Sequence, residues 1–126
     1  MPPARNSTKP HSRANRRPVS SGPRQALVEL PAAGCALPVP DLPAGRGWSP
    51  AERDRWRELW ESPQATQWDD TCRGTVGLLV VYEGAVFDGT ASAWQAQECR
   101  YAADALGLTP RALAALGWRI TEPGQS

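Results

Sequence analysis

Apolar and polar positions follow a helical period in several stretches of the last two thirds of the chain and no period over the first third. The clearest stretch starts at Ser49-Pro50-Ala51-Glu52. Ser49 can accept a hydrogen bond from an orphan N–H of the first turn, Pro50 sits where a missing N–H costs nothing, and Glu52 completes a capping box. Trp56, Leu59 and Trp60 then fall at i, i+3 and i+4, while Arg53, Asp54, Arg57, Glu58 and Glu61 fill the rest of the circumference. Pro63 disfavours helical geometry at Ser62, so the spacing predicts an amphipathic helix that stops near Glu61. About three turns are marginal alone in water, and the Trp-Leu-Trp stripe must bury against something later in the chain.

A turn at Ser62-Pro63-Gln64 leads to Trp68-Asp69-Asp70, which opens the next element. Between Asp69 and Phe87 two patterns compete. Thr75 to Tyr82 is β-branched enough for a buried strand, with Glu83-Gly84 as a hairpin turn. Cys72, Val76, Leu79, Glu83 and Val86 instead keep helical steps of four and three, and no second long strand follows. Local propensity fits both. Beyond the break at Asp88-Gly89, Ser92 and Gln95 form a second capping box. The helix it opens runs to Leu106, with Trp94, Tyr101, Ala102, Ala105 and Leu106 expected inside and Gln97, Glu98 and Arg100 partly wet. Gly107 ends it in the left-handed conformation. Thr109 caps a last short helix with Pro110 at its first position, carrying Leu113 and Leu116, with Trp118 and Ile120 just past its end.

Composition separates the first third from the rest. Nine of the thirteen prolines lie at or before Pro43, and all six tryptophans lie at or after Trp48. The net charge of +1 hides a second division. Arg5, Lys9, Arg13, Arg16, Arg17 and Arg24 precede every carboxylate, so the leader carries about +6 and the remainder about −5. Residues 1–24 have almost no large apolar side chain and read as a disordered cationic arm, suited to binding a polyanion by counterion release or serving only as a solubilising tail. From Gln25 to Gly47, Leu30-Pro31, Leu37-Pro38-Val39-Pro40 and Leu42-Pro43 favour extended backbone. This stretch reads either as a spacer or as a strap burying Leu27, Val28, Leu37 and Val39 on a neighbouring subunit.

Candidate chemistry is sparse. His11 is the one histidine, so no histidine-based triad and no His/Cys zinc site can be assembled. Cys35, Cys72 and Cys99 are an odd set without Cys-x-x-Cys spacing and read as reduced cytoplasmic thiols, Cys72 and Cys99 as small packing residues. The longest apolar run, Val76 to Tyr82, is far too short for a bilayer, which predicts a soluble protein. Asp69-Asp70 is expected as an acidic helix cap, with no third ligand to make a metal site. Residues 102–113 have the apolar spacing and central glycine of a helix-turn-helix, but the second helix offers only Arg111 to a base edge, with Arg119 beyond it.

Trp56-x-x-x-Trp60-x-Ser62-Pro63-x-Ala65-x-x-Trp68, the central apolar segment, and Gly107-Leu108-Thr109-Pro110 followed by Leu116-x-Trp118-x-Ile120 together resemble the small terminase subunits of tailed phages infecting actinobacteria. The resemblance implies an all-α fold: a short helical protomer with the second and third helices as an antiparallel hairpin, assembled as a ring. It resolves the ambiguous middle as helix. It also implies a non-enzymatic phage DNA-packaging protein, acting in the cytoplasm of the bacterial host, that binds viral double-stranded DNA and recruits or regulates the large terminase subunit. No cofactor or metal is expected. The expected organisation is a disordered basic, Pro-rich arm and linker over residues 1–47, a helical domain over 48–120 and a tail over 121–126. Arg5, Lys9, Arg13, Arg16, Arg17 and Arg24 are the expected phosphate contacts; Trp56, Trp60, Leu79 and Trp94 belong in the protomer core or subunit interface. The alternative function is a small helix-turn-helix transcriptional regulator.

Overall fold

Local signals set the helix ends in the computed structural model, which describes residues 28–123. Helix α1 spans Pro50–Trp60, α2 Arg73–Asp88, α3 Ala93–Ala105 and α4 Pro110–Leu116. Both capping boxes form: the Ser49 hydroxyl accepts from Glu52 N at 3.1 Å while the Glu52 carboxylate accepts from Ser49 N at 2.8 Å, and Ser92 and Gln95 repeat the exchange. The ambiguous middle is α2. It is introduced by short 3-10 turns at Pro63–Gln67 and Asp70–Cys72, the second capped by Asp69.

The first helix buries its predicted stripe. Trp56, Leu59 and Trp60 join Ala65 and Trp68 from the following turn, Val76, Leu79 and Val80 of α2, and Ala102 and Leu106 at the end of α3. Trp60 lies 5.6 Å from Trp56 and 5.2 Å from Trp68 between ring centroids, the second pair edge to face, an arrangement that aromatic quadrupoles favour. Helices α2 and α3, joined by residues 89–92, make the most extensive contact among these elements, and Gly89 closes α2 with a φ of 75°.

An all-α fold is not the whole architecture. Strand β1, Val28–Pro31, pairs in parallel with strand β2, Trp118–Thr121, with Val28 opposite Trp118 and Leu30 opposite Ile120. The ladder extends at both ends, where Val28 N donates to Gly117 O and Ala32 N to Thr121 O. Leu30 is fully buried, and that burial helps two strands of only four residues each hold together. Four-residue strands are too short for alternation to announce them, and their partners are far apart in sequence.

The proline-rich stretch after β1 lies along its own helices. A proline has no N–H, so this ribbon is rich in carbonyls free to accept. Trp56 Nε1 donates to Pro40 O at 2.8 Å, Trp48 Nε1 to Pro43 O at 3.0 Å, and Arg73 to Asp41 O at 2.7 Å. Cys35, Val39 and Leu42 pack against the core, whereas Leu37 stays exposed.

The expectation for α3 needs correction. Ala102 and Leu106 are buried, but Trp94, Tyr101 and Ala105 are exposed. Residues i and i+1 point about 100° apart around a helix, and α3 turns its small side, with Cys99 and Ala103, toward α2.

Candidate nucleic-acid interface

The six expected phosphate contacts, Arg5, Lys9, Arg13, Arg16, Arg17 and Arg24, lie outside the described residues. Their attachment point is described. The leader joins the body at Val28, whose N–H is held by Gly117 O at 3.0 Å beside the end of α4.

The body to which it is attached has a different electrostatic character. With six of the fourteen cations in residues 1–24, eight arginines remain against all thirteen carboxylates. Most are engaged. Among the described residues, Arg46 pairs with Glu52, Arg55 with Glu58 and Glu83, Arg57 with Asp54, Arg111 with Asp104 and Arg119 with Glu29. The Arg55 fork donates to both Glu83 oxygens, at 2.7 and 3.1 Å, and this bidentate bond is the main cause holding the guanidinium's pKa above its ordinary value. A net-acidic body with internally paired cations is a poor surface for a polyanion.

The helix-turn-helix candidate resolves into a packing corner. Gly107 adopts a φ of 76°, and a Cβ built there would stand 2.3 Å from the Trp118 ring. Thr109 caps α4 through Ala112 N and donates its hydroxyl to Asp104 at 2.6 Å. Helix α4 has only seven residues. Arg111 is exposed and tied to Asp104, Ala112 is buried, and Ala114 and Ala115 present methyl groups outward. Arg119 belongs to β2, opposite Glu29. Direct readout needs several polar side chains on the recognition helix, and this one has a single arginine.

The Asp69-Asp70 pair is a cap. Asp69 accepts from the Thr71 hydroxyl and from Thr71 N, and the hydroxyl is the leading cause that lowers its pKa. Among the described residues no group of three or more His, Cys, Asp or Glu side chains is placed to hold a metal ion. Cys72 and Cys99 pack partly buried against the core, and burial pushes the Cys99 thiol up, away from a reactive thiolate.

Sequence reasoning missed the uncovered part of the hairpin. Leu78, Val86, Phe87, Trp94 and Tyr101 are exposed, Phe87 at 82% and Trp94 at 59%. The helical spacing of Leu78, Tyr82 and Val86 was visible, but spacing tells which residues share a side and not whether that side is covered.

Among the described residues, four helices, a two-stranded sheet and an extended acceptor strap define a small, mostly helical protein organised on a helical hairpin, and no helix is long and apolar enough to cross a membrane. A family model described as phage terminase small subunit matches residues 3–126, and the chain belongs to that family. Membership assigns it to phage DNA packaging, in a family that is generally regulatory and not catalytic. No curated protein and no solved structure matches the chain.

Proposed function

We propose that this chain is the DNA-binding component of a packaging terminase: copies assemble into a ring and present cationic leaders to viral double-stranded DNA. The assembly recruits or regulates the large subunit, which carries the ATPase and nuclease, in the cytoplasm of the bacterial host. One observation carries this reading. Arg5, Lys9, Arg13, Arg16, Arg17 and Arg24 stand together without a carboxylate, attached to a body whose own arginines are mostly occupied. A run of cations with no carboxylate among them in sequence is suited to releasing counterions from DNA, and many weak contacts on one assembly become avid.

Deleting residues 1–24 tests it, because the cut leaves β1 whole from Val28. The logarithmic salt slope of DNA binding is expected to flatten by up to about five for each engaged arm, at about 0.9 per neutralised phosphate. An unchanged slope would move the DNA contact to the body. The regulator reading has no comparable support, since α4 offers one exposed and already paired arginine.

A further inference from the structure

Two apolar surfaces remain uncovered on the α2–α3 hairpin, and they differ in shape. The first is a raised stripe. Leu78, Tyr82 and Val86 share one side of α2, Trp94 and Tyr101 share one side of α3, and the Tyr82 and Trp94 rings meet edge to face at 6.0 Å to join the two rows. None of the five is charged.

The second is a groove of about 480 Å³ between the first turn of α1 and the last turns of α2. Here the core-facing side of α2 continues past Val80 to Phe87 without a cover. Ala51 and Gly84 keep the groove open, and nothing lies within 4 Å of where a Gly84 side chain would begin. Its charged walls are already satisfied, Arg55 by Glu83 and Glu52 by Arg46 and the Ser49 N–H. A groove with paired charges and an apolar lining suits an uncharged, aromatic occupant.

We propose that the stripe of one copy, led by Trp94, seats in the groove of the next copy beside Phe87 and Gly84. This rests on the assembly reading above and assigns its contact. At 100° per residue, the stripe and groove residues of α2 lie about 150° apart around its axis and within about one turn along it. Unlike surfaces on opposite sides at one level meet head to tail, and a head-to-tail contact with little rise closes into a ring. The area is adequate. The two exposed rings, Trp94 and Tyr101, with half-buried Tyr82 beside them, bring roughly 300 Å², within the range of the largest apolar patch that monomers usually expose. With their aliphatic neighbours they form the apolar half of a contact of roughly 1,000 Å², the low end for a specific interface.

The test uses the full chain, with light scattering behind size exclusion and circular dichroism melts to verify folding. Trp94→Glu removes the stripe and Gly84→Trp fills the groove; Tyr101→Glu is a second stripe variant should the first unfold. Each folded variant alone is expected to fall to a monomer. Mixed in equal amounts, a stripe variant and the groove variant are expected to form a dimer and nothing larger, through the one intact stripe and the one intact groove. Variants that keep the wild-type assembly would overturn this contact and leave the assembly reading standing. Gly84→Trp dimerising by itself would overturn it in favour of stripe against stripe. A monomeric wild type would overturn both readings, and loss of large-subunit binding by Trp94→Glu in that case would give the stripe to that partner.

Discussion

Trp68 donates its indole N–H to the carbonyl oxygen of Leu106 at 3.0 Å, in a buried bond that ties the turn after α1 to the end of α3. The last carbonyls of a helix have no partner within it, and this one cannot reach water. Trp68→Phe keeps most of the ring volume and removes the donor. A loss of about 1–3 kcal/mol is expected from the stranded carbonyl, measured by urea unfolding. A change within experimental error would mean that the carbonyl finds another donor.

Gly107 and Trp118 form the second tight junction. Gly107→Ala places a side chain on a residue at a φ of 76° and drives it into the indole ring, so a loss of about 2–4 kcal/mol is expected. Trp118→Leu in the same chain relieves the clash but not the backbone strain. The double variant is therefore expected to lose less than the sum of the two single variants, a departure from additivity that thermal melts can read.

Acid should loosen two caps together. Hydrogen bonding from the Ser49 N–H leads in lowering the Glu52 pKa from its ordinary 4.5, and the Thr71 hydroxyl leads in lowering that of Asp69 from 3.8. A depressed folded-state value means that the stabilisation is complete above the ordinary value and disappears as pH falls through the lower folded one. Unfolding curves at a series of pH values are expected to show stability falling below pH 4.5, and Glu52→Gln with Asp69→Asn is expected to flatten that fall. An equally steep fall in the double variant would assign it to other carboxylates.

Arg111 separates arm binding from readout by α4. Its side chain is exposed and paired with Asp104. Arg111→Ala is expected to change the salt slope of DNA binding by at most about one and to leave sequence preference unaltered, as filter binding on matched and scrambled duplexes would measure. A selective loss on one sequence would restore the regulator reading.

The sequence was most legible where one residue answers to its nearest neighbours. Ser49 with Glu52, Ser92 with Gln95, Thr109 with Pro110, and Gly89 and Gly107 in positive φ all mark helix ends, because cap hydrogen bonds and φ are decided within four residues. The Trp56-Leu59-Trp60 stripe was legible for the same reason, being one side of one helix. The candidate site was less so. A run of cations can be counted along a chain, but that Arg55, Arg111 and Arg119 are consumed by Glu83, Asp104 and Glu29 cannot, since the partners come from other elements or from the far end of the protein.

By itself, then, the chain's order of residues determined where α1, α3 and α4 begin and end, which side of α1 seeks cover, and how the charge divides between leader and body. Tertiary structure alone decided that Val28–Pro31 pairs with Trp118–Thr121, that the proline ribbon serves the indoles of Trp48 and Trp56 as acceptor, and that α3 leaves Trp94 and Tyr101 outward. Those outcomes compare free energies of alternative burial across the whole molecule, where a fully enclosed Leu30 or a filled tryptophan cluster outweighs any preference that a short stretch of chain can express.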